Sequence, residues 1–195
     1  MKKNYNSNTT DSQDEMLIEV TRDDKVIGPV SRYECHKEIR KPWHRSTHIY
    51  LFRPNGDLFL SQRSLTKDTA PGEWSVSAGG HVDWGETYKE CAENELYEEL
   101  KLKLNLEFID KLTVDYGSER EIIQIYSGVT EKCKYYKKDE MQQVKAFEFK
   151  KVITDFCDGR FDLSGGSRDS FKHVVKTGSL RKFRNKMIKN RYRGI

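Results

Sequence analysis

Three glutamates stand close together in a segment that has the composition of a helix. Residues 87–100 contain neither glycine nor proline, and their apolar residues recur at intervals of three and four, which is the pattern of one buried helix face. Glu95, Glu98 and Glu99 occupy positions i, i+3 and i+4, so a helix places them on a common face. Glu95 and Glu99 fall inside the arc of the apolar stripe, and Glu98 lies at its edge. A helix that only presented acidic side chains to solvent would not need carboxylates in that arc.

The crowding of these carboxylates calls for a counter-charge. Two carboxylates about 5 Å apart repel each other by roughly 3 kcal/mol at an effective dielectric constant near 20. No lysine on the helix relieves them, because Glu99 and Leu102 occupy the i+4 positions of Glu95 and Glu98. Mg²⁺ or Mn²⁺ would relieve them, since hard divalent cations prefer oxygen ligands. The spacing therefore predicts a Mg²⁺ or Mn²⁺ cofactor, with an ordinary charged surface helix as the alternative.

Short segments with the pattern of β-strands surround this helix and must position it. Strand patterns precede it at residues 17–20, 26–28, 48–52, 57–62 and 74–77, and follow it at 102–114, 122–129 and 145–149. Short helices are expected at residues 31–37 and 152–156. Gly79 and Gly80 lead into a loop that ends at Thr87. Mixed strands around a central helix predict the α+β class, as an α/β/α sandwich with a mixed β-sheet.

The two ends of the chain differ in composition from its centre. Residues 1–15 are rich in Asn, Ser, Thr and Asp and predict a disordered tail. Residues 16–165 are expected to form the domain, and residues 166–195 a basic helical extension with a break at Gly178. From residue 168 onward ten Lys or Arg stand against one Asp, a net charge of +9, so the overall +4 leaves −5 on the rest. Such an extension predicts weak contact with polyanions or nucleic acid, or simply a solvated cationic face.

Cysteine usage and hydropathy bear on the compartment. The four cysteines are widely spaced and match neither a CxxC metal motif nor a dense disulfide framework; they are Cys35, Cys91, Cys133 and Cys157. They are expected to be reduced thiols in a cytoplasmic protein. No apolar run approaches the roughly 18 residues of a membrane span, so no membrane partner is expected.

The acidic helix and the loop before it resemble a known signature. The sequence reads Gly80-His81-Val82-Asp83-Trp84-Gly85-Glu86, then seven residues, then Asn94-Glu95-Leu96-Tyr97-Glu98-Glu99-Leu100-Lys101-Leu102. This resembles the Nudix box, which is Gly, five residues, Glu, seven residues, then Arg-Glu-apolar-any-Glu-Glu-any-Gly-apolar. The resemblance extends over 23 positions and includes the loop–helix–loop context. Two positions depart from it, because Asn94 replaces the arginine and Lys101 replaces the closing glycine.

The resemblance implies a Mg²⁺-dependent hydrolase in which a metal-activated water attacks phosphorus. The box glutamates would hold the metal together with the Gly79 carbonyl, while Gly80 and Glu86 would shape the loop. Glu98 is the first candidate for the general base and Glu121 the second. Asn94 cannot form the bidentate ion pair by which the box arginine orients a glutamate, which predicts weaker catalysis or a substitute cation. Lys101 predicts that the helix ends without a left-handed glycine or continues slightly further.

Outside the box, residues 17–146 resemble the Nudix branch that includes type 1 isopentenyl-diphosphate isomerases. That resemblance implies a second metal site whose ligands would be His36, His44, His81, Glu119 and Glu121. Arg63 and Lys67 match the basic pair that holds the diphosphate, and Trp74 belongs to a matching loop and is assigned to the substrate site. Each of these residues also has an ordinary interpretation, as a structural histidine, a surface charge or a core tryptophan.

One missing residue separates the hypotheses on function. The isomerase has a cysteine immediately before its Gly-His step, and this sequence has Gly79 there. A hydrolase needs no such acid, so hydrolysis of a nucleoside diphosphate derivative or a related organic pyrophosphate is favoured. Isopentenyl-diphosphate Δ-isomerase is the first alternative. A catalytically weak nucleotide- or RNA-binding module is the second, suggested by Asn94 and the basic extension.

Overall fold

The computed structural model describes residue 9, residues 11–36 and residues 40–193, with side chains as far as residue 190. The described residues form nine strands and five helices. The strands are β1 (Met16–Val20), β2 (Val26–Ser31), β3 (Trp43–Phe52), β4 (Leu58–Arg63), β5 (Trp74–Ser75), β6 (Ala78–His81), β7 (Glu107–Asp115), β8 (Arg120–Val129) and β9 (Met141–Phe147). The helices are α1 (Arg32–His36), α2 (Tyr88–Leu100), α3 (Phe149–Cys157), α4 (Gly165–Thr177) and α5 (Ser179–Arg193).

Strand β3 is the centre of a mixed sheet. It pairs in parallel with β8 over its whole length, from Trp43 opposite Arg120 to Phe52 opposite Val129. It pairs antiparallel with β1, β4 and β6, and β7 pairs antiparallel with β8. The predicted α+β fold with a mixed sheet is therefore confirmed.

Side chains of β3 alternate between two hydrophobic cores, because successive residues of a strand point to opposite faces. Ile49 and Leu51 pack in the core that contains Leu96 of α2. Tyr50 lies in the other core together with Phe171 of α4. Helices thus cover both faces of the sheet, which is the predicted α/β/α sandwich.

The glycines before the acidic helix belong to a strand rather than to a loop. Residues Ala78–His81 form β6, which pairs with β3. A Cβ at Gly79 would lie 2.3 Å from the Thr47 carbonyl oxygen, so only glycine allows this close approach. The sequence does not reveal this strand, because its glycines carry no alternating side chains.

Helix α2 has well-defined ends. Thr87 and Glu90 form a capping box, in which each side chain accepts from the backbone N–H of the other residue. At the other end Lys101 takes a left-handed conformation, with φ 55°, and its N–H bonds back to Leu96 and Tyr97. The helix therefore ends as a helix with a closing glycine does, and the Lys101 ammonium lies over the rings of Tyr97 and Tyr135.

The two terminal regions are more closely joined to the domain than the sequence predicts. Residues 11–15 were assigned to a disordered tail, yet the Asp11 side chain is 4% exposed and forms an ion pair with Lys67. The C-terminal extension forms α4 and α5, separated at Gly178 as predicted, and Ser170 of α4 bonds to the Tyr50 hydroxyl at 2.8 Å. Residues 1–8, 10, 37–39, 194 and 195 lie outside the described residues, and these include parts of the predicted tail, first helix and extension.

Two features of the extension and the cysteines bear on the remaining expectations. Some of the basic charges of α5 meet partners within the domain, since Lys186 pairs with Glu107 and Arg184 donates to the Gly56 carbonyl. Contact of this extension with polyanions stays a prediction.

All four cysteines are free thiols. Within the described ranges, none of the helices is long and apolar enough to cross a bilayer.

If α4 is part of the domain core, Phe171→Ala should destabilise the whole protein. Phe171 is fully buried against Tyr50 and Phe156, and truncation of a buried phenylalanine costs about 3–5 kcal/mol. Urea unfolding followed by circular dichroism measures the free energy of unfolding. Lys172→Ala is the control, because Lys172 is the next residue and is exposed. This substitution should change the free energy of unfolding by less than about 0.5 kcal/mol. Equal stabilities of the two variants would contradict the inclusion of α4 in the core.

Candidate active site

A cavity of about 1020 Å³ lies between α2, the central strands and the start of α4. Glu95, Glu98 and Glu99 of α2 line it together with Gly79 and Gly80 of β6. Its other walls carry predicted site residues from the remaining elements, namely His36, Arg63, Lys67, His81, Glu119 and Glu121. The structure thus brings most of the predicted site residues to one cavity.

The carboxylates of α2 meet β6 at close range. Glu99 is buried, and one of its oxygens accepts the Gly79 N–H at 3.2 Å. A Cβ at Gly80 would lie 2.1 Å from a Glu95 oxygen, so Gly80 leaves the space that this carboxylate fills. Glu98 is exposed and lines the cavity. The fold therefore uses the glycine pair to admit two carboxylates under a strand.

The electrostatics of these carboxylates favour a bound cation. Burial, followed by the charge of Glu99, raises the pKa of Glu95 well above its usual value. Burial and the charge of Glu140 raise the pKa of Glu99 to about 8, although Lys67 offsets part of the effect. Both groups therefore resist ionisation in the cation-free protein, and a divalent cation would stabilise their charged forms. Buried hard oxygen donors of this kind fit Mg²⁺ or Mn²⁺.

Asn94 takes over part of the contact that the box arginine would make. Its Nδ2 donates to Glu86 Oε1 at 2.7 Å, and Glu86 Oε2 accepts the Asp83 N–H at 3.4 Å. Glu86 therefore braces the loop, as the family resemblance implies. One neutral hydrogen bond replaces a bidentate ion pair, which is a weaker restraint.

The predicted histidine site is also assembled. Ligand atoms of His36, His44, His81 and Glu119 all lie within 4.8 Å of one another. Glu121 adjoins the group, with its Oε1 3.9 Å from His44 Nε2 and 3.8 Å from His81 Nε2. The parallel pairing of β3 and β8 produces this contact, because it places His44 directly opposite Glu121.

His44 has the protonation state and orientation of a metal ligand. Its Nδ1 lies 3.1 Å from the Pro42 carbonyl oxygen, which can only accept, so Nδ1 carries the proton. Burial lowers the pKa of His44 to about 4, so the ring is neutral near pH 7. Its buried Nε2 then offers a lone pair towards the cluster, and no hydrogen-bond partner is found for that atom within the described part of the chain. A backbone carbonyl that fixes the outer nitrogen is a common feature of metal-bound histidines.

His81 is oriented differently. Its Nδ1 lies 3.1 Å from an Arg32 nitrogen, and a guanidinium can only donate. Nδ1 therefore accepts, and the proton of the neutral ring resides on Nε2, the atom nearest Glu121. Coordination through His81 Nε2 would require the contact with Arg32 to change.

The two predicted phosphate-binding cations both line the cavity but differ in their environments. Arg63 donates to the Thr69 carbonyl at 2.9 Å and to its hydroxyl at 3.1 Å. Lys67 is buried, and its ammonium bonds to Asp11 and, at 2.6 Å, to Glu140. Two carboxylates therefore neutralise Lys67 in this conformation.

The assignment of Trp74 to the substrate site is corrected. Its ring centroid lies 5.0 Å from that of Phe147 and 6.2 Å from that of Phe161. The side chain packs against the second hydrophobic core, whereas the flanking residues Glu73 and Ser75 line the cavity. Trp74 lies in a strand, where alternation turns it away from its neighbours' face.

Sequence reasoning missed several residues that complete the site. Arg32 reaches both His81 and Glu15, and Asp68 lies 3.7 Å from His36. The Tyr116 hydroxyl contacts Glu119 at 2.8 Å and Glu121 at 2.6 Å. The position of Tyr116 in the turn before the Glu-any-Glu pair is a sequence signal that could have identified it. Arg32 and Asp68 reach the site from separate segments, and no local sequence pattern connects them.

Known proteins are similar to part of this sequence. An isopentenyl-diphosphate Δ-isomerase of Serratia proteamaculans is 33% identical over 121 residues, which cover 60% of this chain and 66% of that protein. A protein of Pseudomonas aeruginosa named as an uncharacterized Nudix hydrolase is 37% identical over 92 residues, or 47% of this chain and 53% of that protein. The matched segments thus span less than two thirds of the length of these two relatives.

Solved structures share the fold at lower identity. A crystal structure of a Deinococcus radiodurans protein aligns with a TM-score of 0.69 at 21% identity, over 82% of this chain and 98% of that one. The NUDIX domain of Shewanella oneidensis NrtR, complexed with ADP ribose, aligns with a TM-score of 0.53 at 16% identity, over 71% and 86%. The profile of the NUDIX domain matches residues 42–163. This match spans more than half of the chain, and the chain therefore belongs to the Nudix domain family.

Proposed function

We propose that this protein is a Mg²⁺- or Mn²⁺-dependent hydrolase that cleaves the pyrophosphate linkage of a nucleoside diphosphate derivative or a related organic pyrophosphate. The observation that carries the proposal is the meeting of Glu95 and Glu99 beneath Gly79 and Gly80, at the wall of a large cavity. Burying Glu99 and half-burying Glu95 beside it without a cation is costly. A bound divalent cation would offset this cost, so a cation site is the best explanation of the arrangement.

The residues of the chain divide the work of the reaction. Glu95 and Glu99 would hold the cation, which offsets charge on the pyrophosphate oxygens and acidifies water. Glu98, exposed at the cavity wall, is the first candidate to accept the proton of the attacking water. Glu121 is the second, although burial and the charge of Glu119 already raise its pKa to about 7. Arg63 would orient a phosphoryl group, because its guanidinium lines the same cavity.

Two observations support the class of substrate. A cavity of about 1020 Å³ is large enough for a ligand the size of a nucleotide sugar. The structurally similar NrtR domain was solved with ADP ribose, which contains a pyrophosphate linkage between two ribosyl groups. The proposal therefore covers nucleotide sugars and dinucleotides as well as simpler organic pyrophosphates.

Glu98→Gln should lower kcat by about three orders of magnitude, roughly 4 kcal/mol of transition-state stabilisation, because the amide cannot accept a proton. The measurement is release of phosphate or of a nucleoside monophosphate, with Mg²⁺ or Mn²⁺, from a panel of nucleotide sugars, dinucleotides, nucleoside triphosphates and prenyl diphosphates. Glu93→Gln is the matched control, since Glu93 is an exposed residue of the same helix that pairs with Lys89. Equal turnover in both variants would remove Glu98 from the mechanism.

The histidine cluster favours isopentenyl-diphosphate isomerisation as the second candidate function, but Gly79 opposes it. A Cβ at that position would lie 2.3 Å from the Thr47 carbonyl oxygen, so a cysteine cannot stand there without a shift of the strand. We expect the wild-type protein not to incorporate deuterium into isopentenyl diphosphate in D₂O, as monitored by NMR. We also expect Gly79→Cys to destabilise the protein without creating that exchange. Deuterium incorporation by the wild-type protein would establish isomerase activity and replace the hydrolase proposal.

If the histidine cluster is a second metal site, substitutions in the cluster and in the α2 carboxylates should weaken two different classes of Mn²⁺ binding. His44→Ala should weaken one class of Mn²⁺ binding by at least about tenfold, because it removes a preoriented ligand. Glu99→Gln should weaken the other class. Isothermal titration with Mn²⁺ alone measures both. His173→Ala is the control, because His173 pairs with Asp110 away from the cavity, and an effect as large as that of His44→Ala would refute the second site.

A further inference from the structure

The segment ahead of β1 places the Asp11 carboxylate against both Lys67 and Arg32 of the cavity. Asp11 Oδ1 accepts from the Lys67 ammonium and lies 3.6 Å from an Arg32 nitrogen. Its other oxygen accepts the Asp68 backbone N–H at 2.9 Å. The Asp11 side chain is only 4% exposed, although Ser12 and Asp14 beside it are exposed. Asp11 is thus the most deeply inserted side chain among residues whose neighbours Ser12 and Asp14 face solvent.

The donors around Asp11 are those that bind phosphoryl oxygens. A lysine ammonium, a guanidinium and a backbone N–H all stabilise phosphate oxygens by charge-assisted hydrogen bonds. The two carboxylate oxygens of Asp11 accept hydrogen bonds from the lysine and from the backbone N–H, and one of them lies 3.6 Å from the guanidinium. Asp11, Lys67, Arg32 and Asp68 all line the cavity that contains the α2 carboxylates. A phosphoryl group entering this end of the cavity would therefore meet donors already engaged by the protein's own carboxylate.

The segment is held by polar contacts, and besides those of Asp11 the Gln13 amide donates to Asp68 at 3.4 Å. The Gln13 carbonyl accepts the Tyr33 N–H at 3.1 Å, and the Glu15 carbonyl accepts the Arg32 N–H at 2.8 Å. The Glu15 carboxylate also pairs with Arg32 at 3.0 Å. Residues 11–15 contain no apolar side chain, so their release would expose little hydrophobic surface. Segments with few apolar contacts open at low cost in free energy.

We propose that residues 11–15 act as a built-in competitor of the substrate, with the Asp11 carboxylate occupying the subsite of a substrate phosphoryl group. The inference rests on the proposed function in that the cavity must receive a pyrophosphate. Asp11 is attached to the domain, so it acts at a high effective concentration. A ligand can bind this subsite only when the segment is displaced. Its apparent dissociation constant is therefore the intrinsic constant divided by the fraction of molecules in which the segment is displaced.

The test compares two aspartates of the same segment. Asp11→Asn in the full-length chain should tighten binding of inorganic pyrophosphate, measured by isothermal titration with Mg²⁺ present, by about tenfold if the segment is displaced about a tenth of the time. Asp14→Asn removes the same charge from an exposed position and should change the affinity less than twofold. If Asp11 instead orients Lys67 for the ligand, Asp11→Asn will weaken binding, and the proposal is overturned.

A second measurement reports on the displacement itself. Saturating pyrophosphate should accelerate hydrogen exchange at the Arg32 and Tyr33 amides, because these donate to the segment. Unchanged or slower exchange at both amides would overturn the proposal. Failure of this proposal and failure of the hydrolase proposal would give different results. Tighter binding by Asp11→Asn without turnover of any pyrophosphate would refute only hydrolysis, whereas turnover with unchanged binding in Asp11→Asn would refute only the competitor.

Discussion

The insertion of two carboxylates beneath a glycine-containing strand is the constraint on which the site depends. Glu95 fits only because Gly80 has no side chain, and Glu99 gains a backbone donor from Gly79. Gly79 in turn can approach β3 only without a Cβ. Helix α2 therefore cannot be moved, nor either glycine replaced, without disturbing the position of the acids. The raised pKa values of Glu95 and Glu99 are the electrostatic consequence of this packing, and a bound divalent cation would lower them again.

Charge around the rest of the cavity is arranged in compensating groups. Asp11 and Glu140 hold Lys67, and Asp68 and Glu15 hold Arg32. The neutral His44 faces the acidic pair Glu119 and Glu121, whose charges the Tyr116 hydroxyl partly satisfies. Such networks stabilise buried charges that would otherwise be costly. In the proposed reaction, an incoming phosphoryl group would have to replace carboxylates that are already paired with the basic residues.

The departures from the family signature have local structural explanations. Asn94 retains one hydrogen bond to Glu86, and Lys101 adopts the left-handed conformation of the glycine it replaces. A left-handed lysine is strained relative to glycine, and its contacts with Tyr97 and Tyr135 compensate for part of that strain. Gly79 departs from the isomerase pattern and not from the box, and the Thr47 carbonyl beside it leaves no room for a cysteine side chain.

The sequence alone predicts the acidic helix, the mixed α+β fold, the glycine pair and several charged residues that line the cavity, because each follows from local spacing or from a motif. It could not reveal that β6 is a strand, that Trp74 faces the core, or that residues 11–15 enter the site. Those features depend on pairing between distant segments, which local patterns do not encode. The contacts of Arg32 with His81, of Asp68 with His36 and of Asp11 with Lys67 are visible only in the folded chain. Packing between distant segments decides which of these charged groups meet.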